Sequence, residues 1–129
     1  MSVNIDQAKK ASVAPIIGNK SKEIEKIEND LRTYRKDLER WTLKYDVLAQ
    51  NQAAYDSGLQ DLLAIKSQLT DPDAISDIEA VINRYKEYCD ISYCSHRIAV
   101  LQGHIQFSEN KISKYQSEID RLKGIFNIA

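Results

Sequence analysis

The chain has 129 residues, enough for one small domain, with 18 basic and 19 acidic side chains. This near balance lacks the basic excess that is typical of nucleic-acid-binding domains. No run approaches the roughly 18 apolar residues of a membrane-spanning helix, and the N-terminal segment has no convincing signal-peptide core. We therefore predict a protein that is cytoplasmic, or exported without a cleaved signal peptide.

Residues 1–18 are predicted to form an N-terminal tail with a short helix. Pro15 and Gly18 interrupt this helix in the prediction, because proline lacks a backbone N–H and glycine is a poor helix former. A long helix is then expected to begin at Asn19 or Ser21, since either side chain can accept a hydrogen bond at a helix N-terminus.

Two runs of apolar residues at alternating spacings of three and four dominate the rest of the chain. This period places one apolar seam on each helix, and each seam must be buried against another helix. Pro72 separates the runs, because it cannot continue a helix but suits the first turn of a new one. The spacing predicts arms at 19–69 and 73–127 around a turn at 70–73. The predicted coiled-coil seam comprises Ile24, Ile27, Leu31, Leu38, Trp41, Leu48, Leu59, Leu62, Ile98, Leu101, Ile105, Ile112, Ile119 and Leu122.

The predicted fold is all-α: a long antiparallel helical hairpin, resembling a coiled coil, over residues 19–129. Four apolar residues lie beside the seam, and two helices cannot bury all of them. We therefore expect a homo-oligomer, most simply a dimer that forms a four-helix bundle. The predicted surface for self-association or partner binding comprises Leu43, Val47, Leu63 and Ile65.

One zone of the hairpin is predicted to be weak. In the second arm an additional step of three occurs between Tyr85 and Ile91, and such a stammer overwinds a coiled coil locally. The facing part of the first arm carries Gln52 on the seam and Gly58 nearby. Both arms therefore weaken in the same middle region.

No residue pattern predicts catalysis, a cofactor or a metal site. Cys89, Cys94, His96 and His104 lack the spacing of common metal-ligand sets, and no phosphate-binding glycine loop or HExxH pattern occurs. Cys89 and Cys94 are five residues apart, so on one helix their thiols point in different directions. We therefore predict a protein that is not an enzyme and that has two free thiols.

Charge is distributed unevenly. Residues 1–44 hold ten basic and seven acidic side chains, residues 45–90 hold three and nine, and residues 91–129 hold five and three. A hairpin would therefore have an acidic turn and a basic open end. Either the exposed faces carry charge only for solubility, or the two poles orient partners.

Two functions remain open from the sequence. The leading hypothesis is a protein–protein interaction role without catalysis, as a scaffold, chaperone or assembly factor that acts through its helical faces. The alternative is a nucleic-acid accessory protein, such as a recombination or replication helper, which uses the basic open end. Its candidate contacts are Lys9, Lys10, Lys20, Lys22, Arg35 and Lys36.

Overall fold

The structure is a computed structural model and describes residues 5–128. These residues form four α-helices and no β-strand, so the predicted all-α class is confirmed, and the helix packing fits a bundle. The helices are α1 (Ile5–Gln50), α2 (Gln52–Gln68), α3 (Pro72–Tyr88) and α4 (Ile91–Ile125). None of them, within the described residues, has the length and apolar character needed to cross a membrane.

The chain divides into two compact units. Unit 1 consists of Met1–Asp37 and Leu101–Ala129, and unit 2 consists of Leu38–Val100. Helices α1 and α4 contribute residues to both units, whereas α2 and α3 belong entirely to unit 2.

In unit 1, α1 and α4 pack in opposite directions. The Lys20 ammonium lies 2.5 Å from a carboxylate oxygen of Glu118, and Arg35 lies 3.0 Å from Glu109. Partner numbers on α4 fall as those on α1 rise, which defines the antiparallel arrangement. The buried side chains of unit 1 include Val13, Ile24, Ile27, Leu31, Leu101, Ser108 and Ile119.

The predicted helix break at Pro15 and Gly18 is wrong. Helix α1 begins at Ile5 and continues through both residues, with Pro15 in its interior. Interior proline costs about 3 kcal/mol and glycine about 1 kcal/mol, so packing must compensate. Val13, only 5% exposed, contributes apolar burial beside the proline. Residues 1–4 of the predicted tail lie outside the described residues.

In unit 2, α2 and α3 form an antiparallel pair around Pro72. Helix α2 ends at Gln68 and α3 begins at Pro72, which agrees closely with the predicted turn. The Asp71 carboxylate accepts a hydrogen bond of 3.2 Å from the backbone N–H of Ala74, and this caps α3. Further along the pair, Lys66 lies 3.2 Å from Glu79.

The predicted uninterrupted arms are wrong, because each arm is broken once. The first break is at Asn51, whose side-chain amide donates a hydrogen bond of 2.8 Å to the Val47 carbonyl. Such local bonds compete with helical ones. The second break covers Cys89 and Asp90, and the Asp90 carboxylate accepts from the backbone N–H of Tyr93 at 2.9 Å. Both breaks fall in the zone that the spacing predicted to be weak.

All fourteen predicted seam positions are buried or half-buried in the single chain. Leu31, Leu48, Leu101 and Ile119 are among the least exposed side chains, at 3–5%. Full burial of a leucine or isoleucine contributes about 1.5–3 kcal/mol, so these residues supply much of the packing energy. The coiled-coil geometry and the dimer remain predictions.

Candidate functional site

Aromatic and basic side chains of unit 2 meet where α1 passes the joint between α3 and α4. We call this group the aromatic–cation cluster; it comprises Trp41, Lys44, Tyr88, Tyr93 and Arg97. Residues three or four apart are neighbours on a helix surface, which places Trp41 beside Lys44 and Tyr93 beside Arg97. The Trp41 and Tyr93 rings contact edge to face, with centroids 5.5 Å apart and an interplanar angle of 77°.

Two cations lie against the Trp41 ring. Lys44 Nζ is 5.1 Å from its centroid, and the central guanidinium carbon of Arg97 is 5.7 Å from it. Lys44 Nζ is also 6.0 Å from the Tyr88 ring centroid. Cations at such distances are attracted by the electron-rich ring face, with about 0.5–1 kcal/mol at exposed sites. The rings therefore hold both positive groups in place.

Neither cation of the cluster forms an ion pair with a carboxylate among residues 5–128, although Glu87 lines the same depression as Lys44. The Arg97 Nε is buried and has no hydrogen-bond partner within that same range. Burying a donor without a partner typically costs about 1–3 kcal/mol. Within the described residues, the cluster therefore holds two cations against aromatic rings without an ion-pair partner. This arrangement is suited to binding an anionic group.

The two tyrosines of the cluster are exposed and lie on either side of the helix break at Cys89 and Asp90. Tyr88 is the last residue of α3 and is 73% exposed, while Tyr93 lies in the first turn of α4 and is 48% exposed. Because Asp90 caps α4 through the Tyr93 N–H, the same bond that starts the helix also fixes the backbone beneath the Tyr93 ring.

A second aromatic pair lies between α2 and α3. The Tyr55 and Tyr85 ring centroids are 6.4 Å apart, and the Tyr85 hydroxyl donates a hydrogen bond of 2.9 Å to the Tyr55 carbonyl. Burial, followed by the nearby Cys89 and Tyr55, raises the pKa of Tyr85. This phenol therefore stays protonated at neutral pH and serves as a structural donor.

The cysteines have the character of structural thiols. Both are free, Cys89 half-buried and Cys94 buried. Burial raises the pKa of the Cys89 thiol, although the neighbouring Tyr85 hydroxyl and the charge of Lys44 oppose this effect. A raised pKa reduces the thiolate fraction and hence the nucleophilicity. Among residues 5–128, no group of three or more His, Cys, Asp and Glu side chains is arranged to hold a metal ion.

The predicted self-association residues are all exposed in the single chain. Leu43 and Val47 lie four residues apart on α1 within unit 2, at 60% and 51% exposure. Leu63 and Ile65 lie on α2. They remain available for a partner, which keeps the prediction open.

The six predicted nucleic-acid contacts differ in their surroundings. Lys20 and Arg35 are engaged by Glu118 and Glu109. Lys9 and Lys10 are exposed and line a shallow depression together with Asp6. Lys22 and Lys36 are exposed as well. Carboxylates therefore offset part of the positive charge that the alternative function requires.

The sequence does not predict the aromatic–cation cluster. The apolar spacing assigns Trp41 and Tyr88 to the seam and predicts a part-buried position for Tyr93. In the structure both tyrosines are exposed, so their place in an open cluster is not predicted. One local signal is present: Asp90 stands three residues before Tyr93, at the spacing of a helix cap. In comparisons with protein-family models, curated protein sequences and solved structures, no match to this chain was found.

Proposed function

We propose that this chain is a non-enzymatic interaction protein, a scaffold or assembly factor, that binds an acidic segment of another protein through the aromatic–cation cluster. The observation that carries this proposal is the pair of cations, Lys44 and Arg97, that lie on the Trp41 ring without a carboxylate partner among the described residues. Tryptophan, tyrosine and arginine are the residues most enriched at the energetic centres of protein interfaces.

The chemistry of binding follows from the side chains present. A carboxylate of the partner would accept charge-assisted hydrogen bonds from Lys44 and Arg97, which are worth about 1.5–3 kcal/mol each when shielded from water. The exposed Tyr88 and Tyr93 rings would cover apolar parts of the same segment. Aromatic side chains lose little conformational entropy on binding, which favours their use as anchors.

Further apolar side chains extend the candidate surface along α1. Leu43 and Val47 are exposed and share one side of this helix. Around the helix, Leu43 lies about 100° and Val47 about 60° from Lys44, so this apolar side adjoins Lys44 and not the Trp41 ring. A partner helix with acidic and apolar residues would match both features.

The proposal is tested by affinity capture of proteins from the native source, using the full chain as bait. The double variant Lys44→Glu and Arg97→Glu should lose a partner that the unmodified chain retains, because both cations are replaced by groups that repel an acidic segment. The control is Lys26→Glu, an exposed charge reversal in unit 1. Identical capture by all three baits would contradict the proposal.

The same preparation tests the nucleic-acid alternative. Phosphate contacts weaken steeply as salt rises, so retained DNA or RNA should be released by moderate salt. Loss of such retention on reversing Lys9, Lys10 and Lys36, without an effect of the cluster variants, would favour the accessory function over protein binding.

A further inference from the structure

Helix α3 carries an ordered row of exposed side chains, which we call the α3 stripe. Its members are Asp73, Asp77, Val81, Arg84 and Tyr88, and all five are exposed. Their spacings of four, four, three and four residues place them on one side of the helix. Val81 is 47% exposed although it is a β-branched apolar residue.

The α3 stripe changes character along its length. Its first end is acidic at Asp73 and Asp77, its middle is apolar, and its other end is basic and aromatic. Arg84, Glu87 and Tyr88 line one open depression together with Lys44. Lys44 adds a second cation to this end, and Glu87 offsets one of the two positive charges. No ion pair involving Asp77 or Arg84 occurs within the described residues.

The stripe is self-complementary about its midpoint. Asp77 and Arg84 are equally distant in sequence from the point between Ala80 and Val81, and so are Asp73 and Tyr88. Asp77 and Arg84 are seven residues apart, which is roughly 10 Å along a helix axis. Two such helices placed antiparallel about this midpoint would set each acidic end against the basic end of the other.

We infer that a second copy of this chain docks on the α3 stripe, with the two α3 helices antiparallel about a two-fold axis that passes between Ala80 and Val81. Asp77 then faces Arg84 of the second copy, Asp73 faces its Tyr88 and Lys44, and the two Val81 side chains pack together. This inference rests on the proposed function and names the acidic segment that the cationic surface binds.

Charge complementarity selects a second copy and fixes its orientation. A two-fold interface presents the same patch from both subunits, so the patch must complement itself. Parallel helices in register would place Asp77 against Asp77 and Arg84 against Arg84, which is repulsive.

The test is a charge exchange in the full chain, read by sedimentation equilibrium. Asp77→Arg and Arg84→Asp should each raise the dimer dissociation constant at least about tenfold. An equimolar mixture of these two variants should form a heterodimer, because the substituted side chain of each variant then faces an opposite charge on the other. The variant that carries both exchanges should regain the homodimer.

Lys86→Asp provides the matched control. Lys86 is exposed and two residues from Arg84 and from Tyr88, which is about 200° of helix rotation, so it lies on another side of α3. This control should leave the dissociation constant unchanged. Circular dichroism should show equal helix content in every variant, because the exchanged residues are exposed.

Two results would overturn the inference: an unmodified chain that is monomeric at about 1 mM, or exchanged pairs that fail to restore association. The Lys44 and Arg97 variants test partner capture, whereas the Asp77 and Arg84 variants test self-docking. The two proposals share no variant and can fail separately.

Discussion

The Tyr85 hydroxyl reaches the backbone carbonyl of Tyr55 because Gly58 leaves room for it on α2. A β-carbon at Gly58 would overlap this hydroxyl and lie 3.0 Å from the ring carbon that bears it. Glycine inside a helix normally weakens it by about 1 kcal/mol. Here the missing side chain permits the contact between α2 and α3.

Gly58→Ala should therefore destabilise the protein, although alanine is the better helix former. We expect a loss of about 1–3 kcal/mol in the free energy of unfolding, the usual cost of overpacking, measured by urea denaturation. Gly103→Ala is the control: nothing lies within 4 Å of its β-carbon, so it should stabilise by about 0.5–1 kcal/mol. Equal stabilisation by both substitutions would show that Tyr85 moves aside freely.

A matched pair of leucines in α1 tests burial. Leu48 is 3% exposed and Leu43 is 60% exposed, and both belong to unit 2. Leu48→Asp should cost about 3 kcal/mol or more, because a carboxylate enters a packed site without a partner. Leu43→Asp should change stability by less than about 0.5 kcal/mol. Thermal denaturation measures both, and similar melting temperatures would contradict the assignment of Leu48 to the core.

The ion pair between Lys20 and Glu118 in unit 1 predicts that the stability of the protein depends on pH. A hydrogen bond from the Lys20 ammonium is the main reason that the pKa of Glu118 lies below its ordinary value of 4.5. Because the folded-state pKa is lowered, this carboxylate contributes stability above pH 4.5, and the contribution is lost as the pH falls through the folded-state pKa.

Lys20→Met should therefore be less stable than the unmodified chain at neutral pH, and the difference should decrease below pH 4.5. Urea denaturation at several pH values measures it. Lys22→Met, on an exposed lysine of the same helix, should show no such pH-dependent difference. A constant difference at all pH values would show that the methionine acts through packing and not through charge.

The thiols should differ in reactivity with an alkylating agent at neutral pH. Cys89 is half-buried with a raised pKa, whereas Cys94 has no exposed surface. Cys89 should react more slowly than a thiol in unfolded protein, and Cys94 more slowly still. Mass spectrometry of peptides after timed labelling measures both rates, and in denaturant the two rates should converge. Faster labelling of Cys94 in the folded protein would place it at the surface.

Local signals in the sequence predict the helical class and the turn. Asp71 and Pro72 supply a cap and a first-turn residue at adjacent positions, so the start of α3 depends on neighbours in the chain. The alternating spacing of the seam residues likewise lies within each helix, so it can be recognised without knowing which helix packs against it. The prediction at Pro15 is wrong because helix α1 continues through this proline, with Val13 buried nearby. Burial is a property of the folded chain that local signals do not contain.

The aromatic–cation cluster could not be predicted from the spacing of apolar residues along a single helix. Equal arms folded about the turn at 70–73 would place Trp41 near Leu101, and this remains a prediction. The contacts of the Trp41 ring with Tyr93 and Arg97 do not follow from that register. A periodic pattern specifies which face of a helix is apolar but not the residue that faces it across the pair.

Trp41 is the single tryptophan of the chain, and it lies in the cluster beside Lys44 and Arg97. Indole emission responds to nearby charge and to water, so the intrinsic fluorescence of the protein arises at the surface that we assign to partner binding. A ligand that drew either cation from the ring would change this signal directly. The unlabelled chain therefore contains its own optical probe, suited to titrations in which a dye would cover the site.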